Sequence, residues 1–132
     1  MKATELMIGD WVMNTYNRKP EQVCEIRERM VMLDYNDLYD YDEIEPIPLA
    51  AEFFDRNGWH REEGDGYCQW YFLSDDYYEI AAHEFNDGMW RLEYDCIEMG
   101  GIPSESENVC WLHELQHFLG RHLVDFEIKM ED

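Results

Sequence analysis

The stretch His113-Glu114-Leu115-Gln116-His117 has the residue types and spacing that chemistry would need. On a helix, histidines at i and i+4 share a face and can both ligate zinc, while a glutamate beside the first activates a bound water. Read so, His113 and His117 are metal ligands and Glu114 is the catalytic base of a small zinc-dependent hydrolase. A third ligand does not fall into place. Gly120 falls where the extended pattern H-E-x-x-H-x-x-G-x-x-H places its glycine, but that pattern puts its third histidine at position 123, which is Leu123, while His122 sits one residue early. Glu127, Glu131 or a cysteine-assisted set of Cys110, His113 and Cys96 or His83 would have to serve instead. At 100° per residue, Trp111, Leu112, Leu115, Phe118, Leu119 and Leu123 span an arc of roughly 140°. His113 and His117 fall on the opposite side. The reading preferred on these grounds has no metal, no cofactor and no catalytic residue, only two histidines on an exposed helix face.

Charge is the second feature. The 132 residues include 31 Asp and Glu against 10 Lys and Arg, for a net charge of −21. Binding to nucleic-acid phosphates requires clustered Lys and Arg, so direct DNA or RNA binding is not expected, and anionic membranes are disfavoured for the same reason. A basic protein is the partner such a field would attract. Aromatic residues make up 15% of the chain, so it has material for a core and is not a disordered acidic tail. Tyr39 and Tyr41 lie among Asp34, Asp37, Asp40, Asp42, Glu43 and Glu45, and a second aromatic cluster surrounds Asp75 and Asp76. If the tyrosines pack inward, the carboxylates form an outward row that can imitate nucleic-acid phosphates. These ten residues are the expected partner-binding surface.

The elements that must carry these groups read as follows. Short strands are expected over 8–16, 22–26 and 30–33, and an alternating segment over 39–44 ends at Pro46 and Pro48. Leu49 to Asn57 reads as a short helix ended by Gly58. Further strands are expected over 59–62, 67–73, 78–85 and 89–99, divided by Gly- and Asx-bearing turns. Residues 100–108 read as a polar loop and 109–124 as a terminal helix. The four cysteines form no C-x-x-C pair, which suits free thiols in a reducing compartment. No apolar run reaches the roughly 18 residues of a membrane span, and Met1-Lys2-Ala3-Thr4-Glu5 leads into no signal-like apolar segment, so a cytoplasmic location is expected.

Two resemblances bear on this reading. The turn Gly9-Asp10-Trp11-Val12 resembles the entry to the first long strand of SH3-like and Tudor-like barrels. Four landmarks, Glu5-Leu6-Met7-Ile8-Gly9-Asp10-Trp11-Val12, Glu45-Pro46-Ile47-Pro48-Leu49, Asn57-Gly58-Trp59 and Val109-x-x-Leu112-His113-Glu114-Leu115-Gln116, together resemble small uncharacterised proteins of Bacteroides-type bacteria and their phages. That group has no established activity, so the likeness implies a host lineage and a mobile-element setting only. It also implies that His117, where similar sequences carry Asn, is particular to this chain.

The expected fold is α+β. An N-terminal small SH3-like or Tudor-like β-barrel unit over 1–48 precedes a helix, an antiparallel β-meander and a C-terminal helix over 49–132, packed as one compact protein. The expected function is a non-enzymatic acidic binding protein that works through protein–protein contacts and, in its most concrete form, mimics nucleic acid to inhibit a host nucleic-acid-binding or defence factor. The alternatives are the zinc-dependent hydrolase above and a structural subunit of a larger assembly.

Overall fold

The structure is a computed structural model, described over residues 1–34, 37–63, 69–96 and 103–130. It is an α+β protein, mostly antiparallel sheet, whose contacts divide it into two units: Met1–Pro48 with Trp111–Phe126, and Leu49–Cys110 with Glu127–Asp132. The terminal helix thus belongs with the N-terminal strands. The sequence reading had joined it to the meander, because chain order alone favours neighbours.

In the first unit, β1 (Trp11–Asn14), β2 (Lys19–Ile26), β3 (Met30–Leu33), β4 (Asp37–Asp40) and β5 (Ile44–Glu45) form a curled sheet in the order β4-β3-β2-β1-β5. A 3-10 turn, Tyr41–Glu43, separates β4 from β5. Alternation of apolar residues puts Val12, Val23, Val31, Leu33 and Ile44 on one face, where they pack with Leu6 into a core that Met1, Ile26, Tyr39 and Tyr41 flank. The helix α2 (Leu112–Arg121) lies against β1 and buries Leu112, Leu115, Phe118 and Leu119. Its C-terminus closes with Leu123 N–H on the Gly120 carbonyl (3.1 Å) and Val124 N–H on that of Leu119 (2.9 Å). This is the paired arrangement in which the residue past the helix turns left-handed. Here that residue is leucine, at φ +56° and 92% exposed, outside the buried stripe in which the helical wheel had placed it.

In the second unit, β6 (His60–Glu63), β7 (Gln69–Ser74), β8 (Tyr78–Asn86), β9 (Met89–Cys96) and β10 (Pro103–Val109) form an antiparallel meander in the order β10-β9-β8-β7-β6. The helix α1 (Ala51–Arg56) ends at Asn57, and Gly58 follows at φ +76°. Phe54 is the hub of the core, 4.8–5.0 Å from the rings of Trp59, Tyr71 and Trp90. The buried Trp90 indole donates to the Leu49 carbonyl. Residues 103–108, expected as loop, and Val109, expected to begin the terminal helix, form the edge strand β10. Among its described side chains Glu105, Ser106 and Asn108 are exposed and only Val109 is buried apolar, so the strand carries almost no hydrophobic signal and is held by its ladder to β9.

Candidate functional site

Glu114 turns back onto the backbone N–H of Trp111 (3.1 Å), the position of a capping glutamate in the first turn. Gln116 accepts from Trp11 N–H (2.8 Å) and donates to the Gly9 carbonyl (3.0 Å). His117 Nε2 lies 2.7 Å from Asp10 Oδ2, an oxygen that also accepts from Met7 N–H (2.8 Å). Three residues of the motif thus hold backbone or a carboxylate. Asp10 is 2% exposed and His113 5%. The expectation that His113 sits on an exposed face is therefore corrected: the Met7–Trp11 turn covers a second side of the helix, which a one-stripe wheel does not anticipate. Burial lowers the pKa of His113, more than the nearby Asp10 carboxylate raises it, and its Nδ1 makes no hydrogen bond among the described residues. The His113 and His117 rings stand edge to face at 5.6 Å. Among the described residues no three His, Cys, Asp or Glu side chains converge as metal ligands would. Beside the pair, Met7, Ile8, Gly9, Gln116, Gly120 and Arg121 help line a largely apolar cavity of about 550 Å³.

The carboxylates singled out by sequence are placed in both units. In the first, Asp34, Asp37, Asp40, Asp42 and Glu45 are exposed and Glu43 is half-buried. Several have local duties. Asp34 accepts from Gln22 N–H (2.8 Å), and Glu43 accepts from Asp40 N–H (3.3 Å) around the 3-10 turn. Asp37 and Asp40 stand at the two ends of β4, three residues apart and so on opposite faces. The single outward row expected there is not formed. Charge on β4 instead guards an edge strand against further pairing. Tyr39 and Tyr41 are half-buried against the core, and the Tyr41 hydroxyl lies against the Met30 and Arg27 carbonyls. In the second unit, Asp75 and Asp76 are exposed, and Asp75 Oδ1 accepts from the Tyr77 and Tyr78 N–H groups (2.7 and 3.0 Å), closing the β7–β8 turn.

Register across the second sheet assembles a group that sequence reading did not single out. Glu62 pairs with Trp70 and Trp70 with His83; His60 pairs with Phe72, Phe72 with Ala81 and Ala81 with Glu93; Glu79 pairs with Asp95. Because alternate residues share a face, all of these lie on one side of the sheet, opposite Tyr71, Ile80, Ala82, Trp90 and Leu92. Trp70 stacks near-parallel to Phe72 (centroids 6.2 Å, 16°) and rests on His83 (3.9 Å). Burial lowers the pKa of His83, more than the Glu93 carboxylate raises it. Ala81, with only a methyl group, leaves a depression between Phe72 and Glu93. The resulting groove of about 250 Å³ is lined by Trp70, Phe72 and Ala81 and by Glu62, Glu63, Glu79, Glu93 and Asp95. No Lys or Arg belongs to that lining. On the same face Arg91 pairs with Glu93 (3.0 Å). Glu79 and Asp95 are like charges directly opposite each other, an arrangement that costs stability. Asp95 Oδ1 is inaccessible to solvent and has no hydrogen-bond partner among the described residues.

In comparison with known proteins, no family model, no curated protein and no solved structure matches the chain.

Proposed function

We propose that this chain is a non-enzymatic acidic binding protein that acts by occupying the surface of a basic protein. The observation that carries this reading is the groove on the second sheet, where five carboxylates surround two stacked aromatic rings with no cation in the lining. A net charge of −21 adds long-range attraction for a basic partner and speeds encounter. In its finer form the protein is cytoplasmic, belongs to a phage or mobile element, and competes with nucleic acid for a host nucleic-acid-binding or defence factor. The exposed carboxylates at 34, 37, 40, 42 and 45 supply further negative charge to that end. The first unit is then an SH3-like or Tudor-like barrel, a reading supported by its strand order and by the 3-10 turn before β5.

The test is capture of host proteins on the immobilised chain, with elution by salt and by duplex DNA. Basic nucleic-acid-binding proteins released by both are expected. Neutral or acidic partners alone, or binding indifferent to salt and DNA, would remove the mimicry and leave the charge as a solubility device.

A further inference from the structure

We infer that the groove on the second sheet is a binding site for one arginine side chain of the basic partner, a deepening that rests on the function proposed above. The walls argue for a cation. Glu79 and Asp95 oppose each other across β8 and β9, with Glu62, Glu63 and Glu93 in the same lining. A cation seated there relieves the like-charge repulsion and donates charge-assisted hydrogen bonds to the accessible carboxylate oxygens. The floor argues for the kind of cation. Trp70 and Phe72 present near-parallel rings beside those carboxylates, half-buried and held in place by His83 and by the ladder of β7 to β8. A guanidinium is planar, stacks on aromatic faces and carries five donors in a fixed fork. An ammonium is a compact, strongly hydrated point charge that uses neither the plane nor the fork. The space argues for a single side chain, since about 250 Å³ is below the usual range for drug-sized ligands. Ala81 sets that space, because any larger residue there would fill the depression between Phe72 and Glu93.

The experiment uses the full chain and three pentapeptides, Gly-Gly-X-Gly-Gly with capped ends, in which X is arginine, lysine or the neutral isostere citrulline. Binding is followed by NMR through the Trp70 indole N–H and the backbone amides of Ala81 and Glu93. The arginine peptide is expected to move these signals and to bind about fivefold tighter than the lysine peptide, with citrulline weaker than either. Trp70→Ala and Asp95→Asn should each weaken the arginine peptide about fivefold. Ala81→Leu, which leaves the net charge unchanged, should abolish binding while the urea transition stays cooperative. Equal binding of arginine and lysine, unaffected by Trp70→Ala, would overturn the guanidinium assignment and leave the basic-partner reading standing. Arginine binding that shifts other residues and survives Ala81→Leu would overturn the groove as the site. Failure of all peptides together with failure to retain any basic protein would overturn both.

Discussion

His117 Nε2 and Asp10 Oδ2 lie 2.7 Å apart, joining residues separated by 107 positions in the chain. With the two Gln116 bonds to Gly9 and Trp11, this contact fastens α2 to the turn that leads into β1. Gln116 and His117, two residues of the pattern that looks catalytic in one dimension, make these fastening contacts. Asp10 is the member with most to lose, because its carboxylate is buried and holds both Met7 and His117. Asp10→Ala is therefore expected to cost about 1.5–3 kcal/mol, the range for hydrogen bonds to charged groups, measured by the urea midpoint.

The same fastening predicts indifference to chelators. If backbone groups and Asp10 are what the motif side chains hold, dialysis against EDTA should leave the urea midpoint unchanged. A metal that stabilised the fold would make the midpoint fall on its removal, and a fall that His117→Ala abolished would put a metal on the helix.

Burial of His113 gives a pH dependence of definite sign. Its folded-state pKa lies below the ordinary value of 6.5, so the unfolded chain binds a proton that the folded chain does not. The stabilising contribution is full above the unfolded pKa and is lost as pH falls below it toward the lowered folded value. His83 acts in the same sense. Stability should therefore drop on acidification below that point, and His113→Leu should reduce the drop. Urea midpoints at neutral and mildly acidic pH measure it. Side-chain truncation at neutral pH should also register: His113→Ala is expected to cost about 1–3 kcal/mol, not the negligible amount of an exposed site.

Leu123 offers a stabilising substitution. A residue with a Cβ pays about 1–2 kcal/mol in the left-handed region, against about 0.5–1 kcal/mol of extra chain entropy for glycine. Leu123 sits at φ +56° and is 92% exposed, so little packing is at stake. Leu123→Gly should raise stability by about 0.5–1 kcal/mol. Leu115→Ala, which empties a fully buried position on the same helix, should lower it by about 2–5 kcal/mol.

Much of this architecture was legible from periodicity. Met30–Leu33 and the strands around Val23 and Ile80 carry their alternation openly, and the stripe of Leu112, Leu115, Phe118 and Leu119 announces α2. β10 was not legible, because Glu105, Ser106 and Asn108 give an edge strand no apolar period to read. His113 was misplaced for a different reason: the turn that buries it is a hundred residues away, and a helical wheel holds no tertiary partner. The groove escaped for a third. Glu62, Trp70, Ala81, Glu93 and Asp95 become neighbours only through the registers of β6 to β9, which composition does not specify.

The central claim is that the anionic aromatic groove receives a basic partner. The most direct measurement is the affinity of an arginine-rich peptide for the intact chain and for Ala81→Leu, across salt from about 0.05 to 0.5 M, where screening shortens the reach of exposed charges from over 10 Å to a few ångströms. Affinity for the intact chain should fall steeply with salt, and Ala81→Leu should bind far more weakly at every salt concentration despite carrying the same charge. Binding that ignores salt, or that Ala81→Leu retains in full, would contradict the claim.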